Sequence, residues 1–272
     1  MIDRLMVAAV LVVSGSGVSA EPLPSVMVAL GDSISAGFNA CGWYVSCTSR
    51  SWSAGDNAGV RSHYVRLAEL GPSVKGHNLN FAAPGATSAD LMGQVERAIA
   101  AKAGYVTILI GAQDACVRTE KQMTPVPVFQ RRVDEAFAAL RVGLPGVRVF
   151  VASIPDMRRL WAAGKDHPIA RTFWAVAKIC QTMLANPTSV KAKDVDRRAR
   201  VRGRLADYNA VFAEACADFG PRCRTDDGAV FAYPFTLDQI SKWDFFHPNA
   251  EGQRLLAEKT FAKGFDWSPE DR

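Results

Sequence analysis

Residues 105–111, Tyr105-Val106-Thr107-Ile108-Leu109-Ile110-Gly111 (YVTILIG), decide how the rest of the chain is read. Six apolar or β-branched residues in a row, stopped by a glycine, form a short run suited to a strand buried on both faces. Working outward, Ser25 to Leu30 reads as an earlier buried strand, Asn80 to Ala82 as a weaker one and Val147 to Ile154 (VRVFVASI) as a fourth. A fifth is expected near Val230 to Tyr233. Helical periodicity fills the gaps. Leu91, Val95 and Ile99 follow Ser88, a residue type that caps helices. Phe129, Val133, Phe137 and Leu140 make a second stripe, and Leu205, Tyr208, Phe212, Ala215 and Phe219 a third. Asn249 opens a closing helix. This alternation specifies an α/β fold with a mostly parallel sheet covered on both sides. In such sheets ligands bind at the carboxyl ends of the strands, so the residues just after each strand are the place to search. Met157 to Lys193 breaks the rhythm and reads as an excursion over or beside that edge.

The chain has 272 residues, 49% hydrophobic and 22% charged, enough for a sizeable core. No Pro-, Gly- or Ser-rich linker divides it, so residues 21–272 are expected to form a single domain. Residues 1–20 read differently. Arg4, an apolar run from Leu5 to Val13 and a small-residue end at Val18-Ser19-Ala20 match a signal peptide. The run is short of the roughly 20 apolar residues that span a bilayer. The expected location is therefore secreted, extracellular or periplasmic, after cleavage.

Six cysteines fit an oxidising compartment. They allow 15 pairings, among which sequence alone does not choose. Proximity favours Cys41–Cys47 and Cys216–Cys223, leaving Cys116–Cys180. No CxxC pair is present and histidine is scarce, so no metal site and no cofactor are expected. The net charge is +5, with much of the basic charge in Lys191–Arg204 (KAKDVDRRARVRGR). That run reads as a solvated helix face or as a contact with an anionic lipid or cell-wall surface. It lacks interleaved aromatics, which argues against nucleic acid. A monomer is favoured.

Two short motifs carry the chemistry. Gly31-Asp32-Ser33 follows the first strand, where the chain is expected to turn into a helix whose amides can stabilise an oxyanion. Read alone, Ser33 and Asp32 are ordinary helix caps. Asp244-Phe245-Phe246-His247 precedes the closing helix. A serine hydroxyl needs a base to take its proton, and a carboxylate three residues before the histidine can fold back to fix the imidazole tautomer. Either motif alone is weak; together they fall on the same predicted edge. His63, His77 and His167 lie in polar stretches expected to be exposed, without such a neighbour, and are read as structural.

With these residues in hand, the chain resembles the SGNH hydrolases, the GDSL-type lipases and esterases, and in particular their secreted bacterial lipase and phospholipase-B-like branch. Four stretches carry the resemblance: GDSISAGF from Gly31, NFAAPGATSADL from Asn80, ILIGAQD from Ile108 and DFFHPNAEG from Asp244. It implies a three-layer α/β/α sandwich with a flavodoxin-like sheet. It also implies Ser33 as nucleophile, His247 as base oriented by Asp244, and an oxyanion hole of Ser33 N–H, Gly85 N–H and the side chain of Gln113. Gly85 makes sense unaided, since a residue without a side chain lets the backbone approach a substrate. Gln113 departs from the family pattern, which has Asn here; it keeps the amide donor and adds about 1.5 Å of reach.

The resulting expectation is a carboxylic ester hydrolase acting through an acyl-enzyme on Ser33, with a small-molecule or lipid ester as substrate. Trp43, Tyr44 and Phe246 are candidates for lining a substrate pocket, and Trp52 lies near the first two. The competing readings are a ligand-binding protein on the hydrolase scaffold, left open by Gln113, and a polysaccharide O-deacetylase or acyltransferase using the same triad.

Overall fold

The computed structural model describes residues 20–269, so the leader expected at 1–20 falls outside the described residues except for Ala20. Five strands form one sheet: β1 (Met27–Gly31), β2 (Asn78–Asn80), β3 (Tyr105–Leu109), β4 (Arg148–Val151) and β5 (Cys223–Thr225). Their order is β2-β1-β3-β4-β5, every pair is parallel, and Gly31 sits opposite Leu109. The helices are α1 (His63–Leu70), α2 (Leu91–Ala100), α3 (Ala112–Ala115), α4 (Val126–Gly143), α5 (Met157–Gly164), α6 (Pro168–Val176), α7 (Gln181–Leu184), α8 (Ala192–Phe219), α9 (Ala229–Ala232) and α10 (Ala250–Phe261).

Strand alternation divides the core into two layers. Val28, Leu30, Val106, Ile108, Val149 and Val151 face α2, α4 and α8. Met27, Tyr105, Leu109 and Phe150 face Leu67 of α1 and Leu256 and Ala257 of α10. The stripes Phe129/Val133/Phe137/Leu140 and Leu205/Tyr208/Phe212/Ala215/Phe219 are all buried. Phe129 stacks on Tyr208 with ring centroids 4.0 Å apart, which joins α4 to α8. The fold is the three-layer α/β/α sandwich of the sequence reading, and among the described residues no helix is long and apolar enough to cross a membrane.

Four local expectations are corrected. The fifth strand is Cys223–Thr225, not Val230–Tyr233. The latter is the one-turn helix α9, entered through Gly228 in the left-handed region, and the Asp226 carboxylate accepts the Val230 amide at 2.8 Å. The second strand begins two residues early, at Asn78. Thr87, rather than Ser88, caps the turn leading into α2, because the Ser88 hydroxyl is taken by Asp114. The segment after Ser33 is a chain of turns instead of a helix: Ala36 N–H reaches Asp32 C=O, Gly37 N–H reaches Ile34 C=O, and Gly37 then adopts φ 65°.

The basic run lies at the start of α8 and is largely engaged inside the molecule. Arg197 bonds Asp194 and the carbonyls of Thr182 and Ala185. Arg200 pairs with Glu120, Arg202 with Asp156, and Arg204 with the Thr124 carbonyl. Disulfides join Cys41 to Cys47, Cys116 to Cys180 and Cys216 to Cys223. The second closes by far the longest loop, with a sequence separation of 64 against 6 and 7. Loop-closure entropy then makes Cys116→Ser/Cys180→Ser cost about 4 kcal/mol of unfolding free energy, against roughly 2 kcal/mol for Cys41→Ser/Cys47→Ser. Urea titration of the two oxidised variants measures the difference. Equal losses would show that loop length does not set the contribution of these cross-links.

Candidate active site

The site lies at the carboxyl edge of the sheet where β1 and β3 are neighbours, the switch point of this strand order. Ser33 follows β1 by two residues, Gly85 follows β2 by five, and Gln113 follows β3 by four. The Asp244–His247 loop approaches from the start of α10. Its anchor is the Asn249 side chain, which accepts the Gly252 amide at 3.0 Å and donates to the Asp238 carbonyl at 2.7 Å.

Gly31 sets the entry to Ser33. The buried Gln94 side chain accepts its N–H at 2.7 Å and donates to its C=O at 2.9 Å. Gly31 has φ 149°, and a Cβ there would meet the Leu109 carbonyl oxygen at 2.2 Å, so only glycine fits between the two central strands. Beyond it, Ser33 Oγ lies 2.8 Å from His247 Nε2, and His247 Nδ1 lies 2.6 Å from Asp244 Oδ2. Asp244 is fully used. Oδ1 accepts the amides of Phe246 and His247, and Oδ2 also accepts Asn39 Nδ2 at 2.5 Å. Burial works to raise the Asp244 carboxyl, but the hydrogen bonds and charge of His247 and the two amides outweigh it and hold the pKa below the usual carboxylate range. The imidazole is fixed from both sides by Phe38 and Phe246, whose rings lie edge-on at 4.9 and 5.0 Å.

The three donors named for the oxyanion hole, the amides of Ser33 and Gly85 and the side chain of half-buried Gln113, have no hydrogen-bond partner among the described residues. Gly85 has φ 82°, and nothing lies within 4 Å of where its Cβ would be. The loops carrying these donors are tied together. Ala83 N–H bonds the Gly31 carbonyl at 3.1 Å. Buried Asp114 accepts both the amide (2.8 Å) and the hydroxyl (2.6 Å) of Ser88, which locks the Gln113 turn to the Gly85 loop. Asp114 is therefore a cross-loop tie.

Asp32 presents a different chemistry beside the same serine. One oxygen accepts the Ile34 amide at 2.9 Å, while buried Oδ2 has no hydrogen-bond partner among the described residues. Burial pushes its carboxyl up to about 7. A folded-state pKa above the unfolded one means that stability is full below pH 3.8 and is lost as pH rises through about 7. The rise corresponds to roughly 4 kcal/mol at most. Asp32→Asn should therefore flatten the fall in melting temperature between pH 4 and pH 8. A variant whose pH profile matches the parent would show that Asp32 ionises freely.

The remaining sequence candidates separate. Phe246 lines a small, mostly apolar cleft of about 30 Å³ with Ile34, Met157, Leu160, Phe235 and Pro248, of which Ile34 adjoins Ser33 and both Phe246 and Pro248 adjoin His247 in sequence. Trp43 and Tyr44 do not line that cleft; they stand exposed around Trp243, with ring centroids at 4.8 and 5.8 Å. Trp52 is fully buried and belongs to the core. His63, expected to be exposed, is also fully buried, between Tyr105 Oη and Thr260 Oγ1 at 2.8 Å each. His167 accepts the Ala170 amide and caps α6, and His77 is exposed. Sequence reasoning missed Asn39, Gln94 and Trp174. Trp174 lies in the excursion and donates its indole N–H to the Phe245 carbonyl at 2.9 Å, bracing the His247 loop from behind.

The fold and the family match together define a carboxylic ester hydrolase. The chain belongs to the GDSL-like lipase/acylhydrolase family, whose model matches residues 29–255. A solved structure described as a GDSL-like lipase, from Parabacteroides merdae, is similar at 14% identity and TM-score 0.55, covering 90% of this chain and 97% of that one. An extracellular lipase from Streptomyces rimosus is 18% identical, with coverage of 86% and 98% and TM-score 0.49. A phospholipase A1 from Streptomyces albidoflavus is 20% identical, with coverage of 88% and 98% and TM-score 0.49. At these identities the first likeness speaks to the fold alone. No curated protein matches the chain in sequence.

Proposed function

We propose that the protein hydrolyses carboxylic esters through an acyl-enzyme on Ser33. The observation that carries this is the continuous hydrogen-bonded chain Ser33 Oγ–His247–Asp244. Ser33 Oγ attacks the acyl carbon as its proton passes to His247 Nε2. The carbonyl oxygen becomes an oxyanion, held by the Ser33 and Gly85 amides and the Gln113 side chain. The intermediate collapses, the bond to the leaving oxygen breaks, and His247 returns its proton to that oxygen. Water then gives a proton to His247 and attacks the acyl-serine. The acid leaves and Ser33 recovers its hydrogen. Asp244 stays ionised and keeps the imidazole proton on Nδ1.

The apolar cleft at Ile34, Phe246 and Pro248 takes the acyl group, and its small volume favours short chains. Hydrolysis of a p-nitrophenyl ester series from acetate to palmitate tests this. Turnover highest at acetate or butyrate supports the reading, whereas no turnover on any member contradicts it. Gln113→Ala is expected to lower kcat by about 10²–10³ with little change in KM, the usual cost of one oxyanion donor. An unchanged kcat on p-nitrophenyl butyrate would mean that the two backbone amides suffice. We further propose export, with residues 21–272 working as one domain after loss of residues 1–20. The three disulfides support an oxidising destination.

A further inference from the structure

Large exposed apolar side chains stand on two segments that pack against the loop carrying His247. In the first, the disulfide loop presents Trp43 (73% exposed), Tyr44 and Val45 next to half-exposed Trp243. This group is built: the Tyr44 hydroxyl donates to the Trp243 carbonyl, the Tyr44 amide donates to Asn39 Oδ1, and a Cβ on Gly42 would meet the Trp243 indole at 2.4 Å. In the second, α6 packs His167, Phe173 and Trp174 against Phe245 and leaves Ile169 (60%) and Val176 (78%) in water. Soluble proteins rarely gather exposed apolar groups in this way unless something covers them.

The charge of these segments says what would cover them. Residues 33–55 and 167–193 contain no Asp or Glu, while Arg50, Arg171, Lys178, Lys191 and Lys193 lie within them and exposed Lys242 adjoins Trp243. Trp and Tyr favour the headgroup level of a bilayer, valine and isoleucine favour the acyl region, and cations without acids favour anionic headgroups. A glycan would need hydrogen-bonding side chains around the rings, and Val45, Ile169 and Val176 supply none.

We infer that Trp43, Tyr44, Val45 and Trp243, together with Ile169 and Val176, form a docking surface for an anionic phospholipid layer around the mouth of the site. The docking holds Ser33 at a lipid–water boundary, where short-chain esters concentrate, so its purpose rests on the proposed function, but the binding is measured without turnover. The probe is full-length Ser33→Ala protein with vesicles of phosphatidylcholine containing a third phosphatidylglycerol, compared with pure phosphatidylcholine. Co-sedimentation should be stronger on the anionic vesicles by about tenfold at low salt. Brominated acyl chains should quench tryptophan emission. Trp43→Ser and, independently, Ile169→Ser/Val176→Ser on α6 should each weaken partition by about tenfold with little change in melting temperature. Three results would overturn the inference: no binding to either vesicle, binding unchanged by both variants and lost instead with Lys191→Ala/Lys193→Ala, or a lipid-free dimer that Trp43→Ser dissociates. A Ser33 protein inactive on every ester would leave the vesicle result standing and strike only the proposed function.

Discussion

Ser33→Ala is expected to lower ester turnover by about 10⁶-fold, the cost of removing the nucleophile from an assembled triad. The size follows from cooperation. His247 Nε2 has Ser33 Oγ as its partner at 2.8 Å, so without the hydroxyl the imidazole has no proton to take and no covalent intermediate forms. The residual rate, from water attack helped by the oxyanion donors, stays above the uncatalysed reaction. Stability should barely change, because Ser33 is half-buried and, among the described residues, its hydroxyl bonds His247 alone. The check is kcat/KM on p-nitrophenyl butyrate alongside a thermal melt. A drop of only tenfold would transfer the nucleophile to another group.

Asp244→Asn carries the second largest effect, about 10⁴ in kcat, and the surrounding contacts say why. Oδ2 receives two donors, His247 Nδ1 and Asn39 Nδ2, while Oδ1 receives two amides. An asparagine has one oxygen and one NH₂ to place on these four donors. With its oxygen toward His247, its NH₂ faces the Phe246 and His247 amides, donor against donor. With the amide flipped, the NH₂ faces Asn39 and His247, and the imidazole must move its proton to Nε2, where it cannot accept from Ser33. Either orientation also removes the charge that stabilises the imidazolium. KM should change little, since Asp244 is buried away from the substrate. Full activity in this variant would leave His247 oriented by its flanking rings, Phe38 and Phe246, alone.

Much of the architecture was legible because buried parallel strands must be apolar throughout. YVTILI and VRVFVASI announce themselves, and the strand–helix alternation then specifies the layers. The edge strand Cys223–Thr225 escaped because three residues with one buried position leave no apolar signature, whereas the apolar Val230–Tyr233 run belongs to a helix turn held by Asp226. His63 looked exposed in a polar stretch, yet partners from β3 and α10, distant in sequence, satisfy both ring nitrogens inside the core. The sequence pointed to Ser33, Asp244 and His247, which the fold brings into hydrogen-bond contact, and left their supports unseen. Asn39 sits at φ 61°, a conformation asparagine tolerates, and reaches Asp244 across 205 residues, a pairing no local pattern encodes. Gln94 and Trp174 likewise work through backbone atoms of Gly31 and Phe245, which sequence spacing does not reveal.

The most direct test of the central claim is to treat the oxidised protein with a fluorophosphonate and locate the adduct by mass spectrometry of its peptides. The account predicts one adduct, on Ser33, lost in Ser33→Ala and strongly slowed in Asp244→Asn. An adduct on another serine, or none on a folded protein, would contradict it.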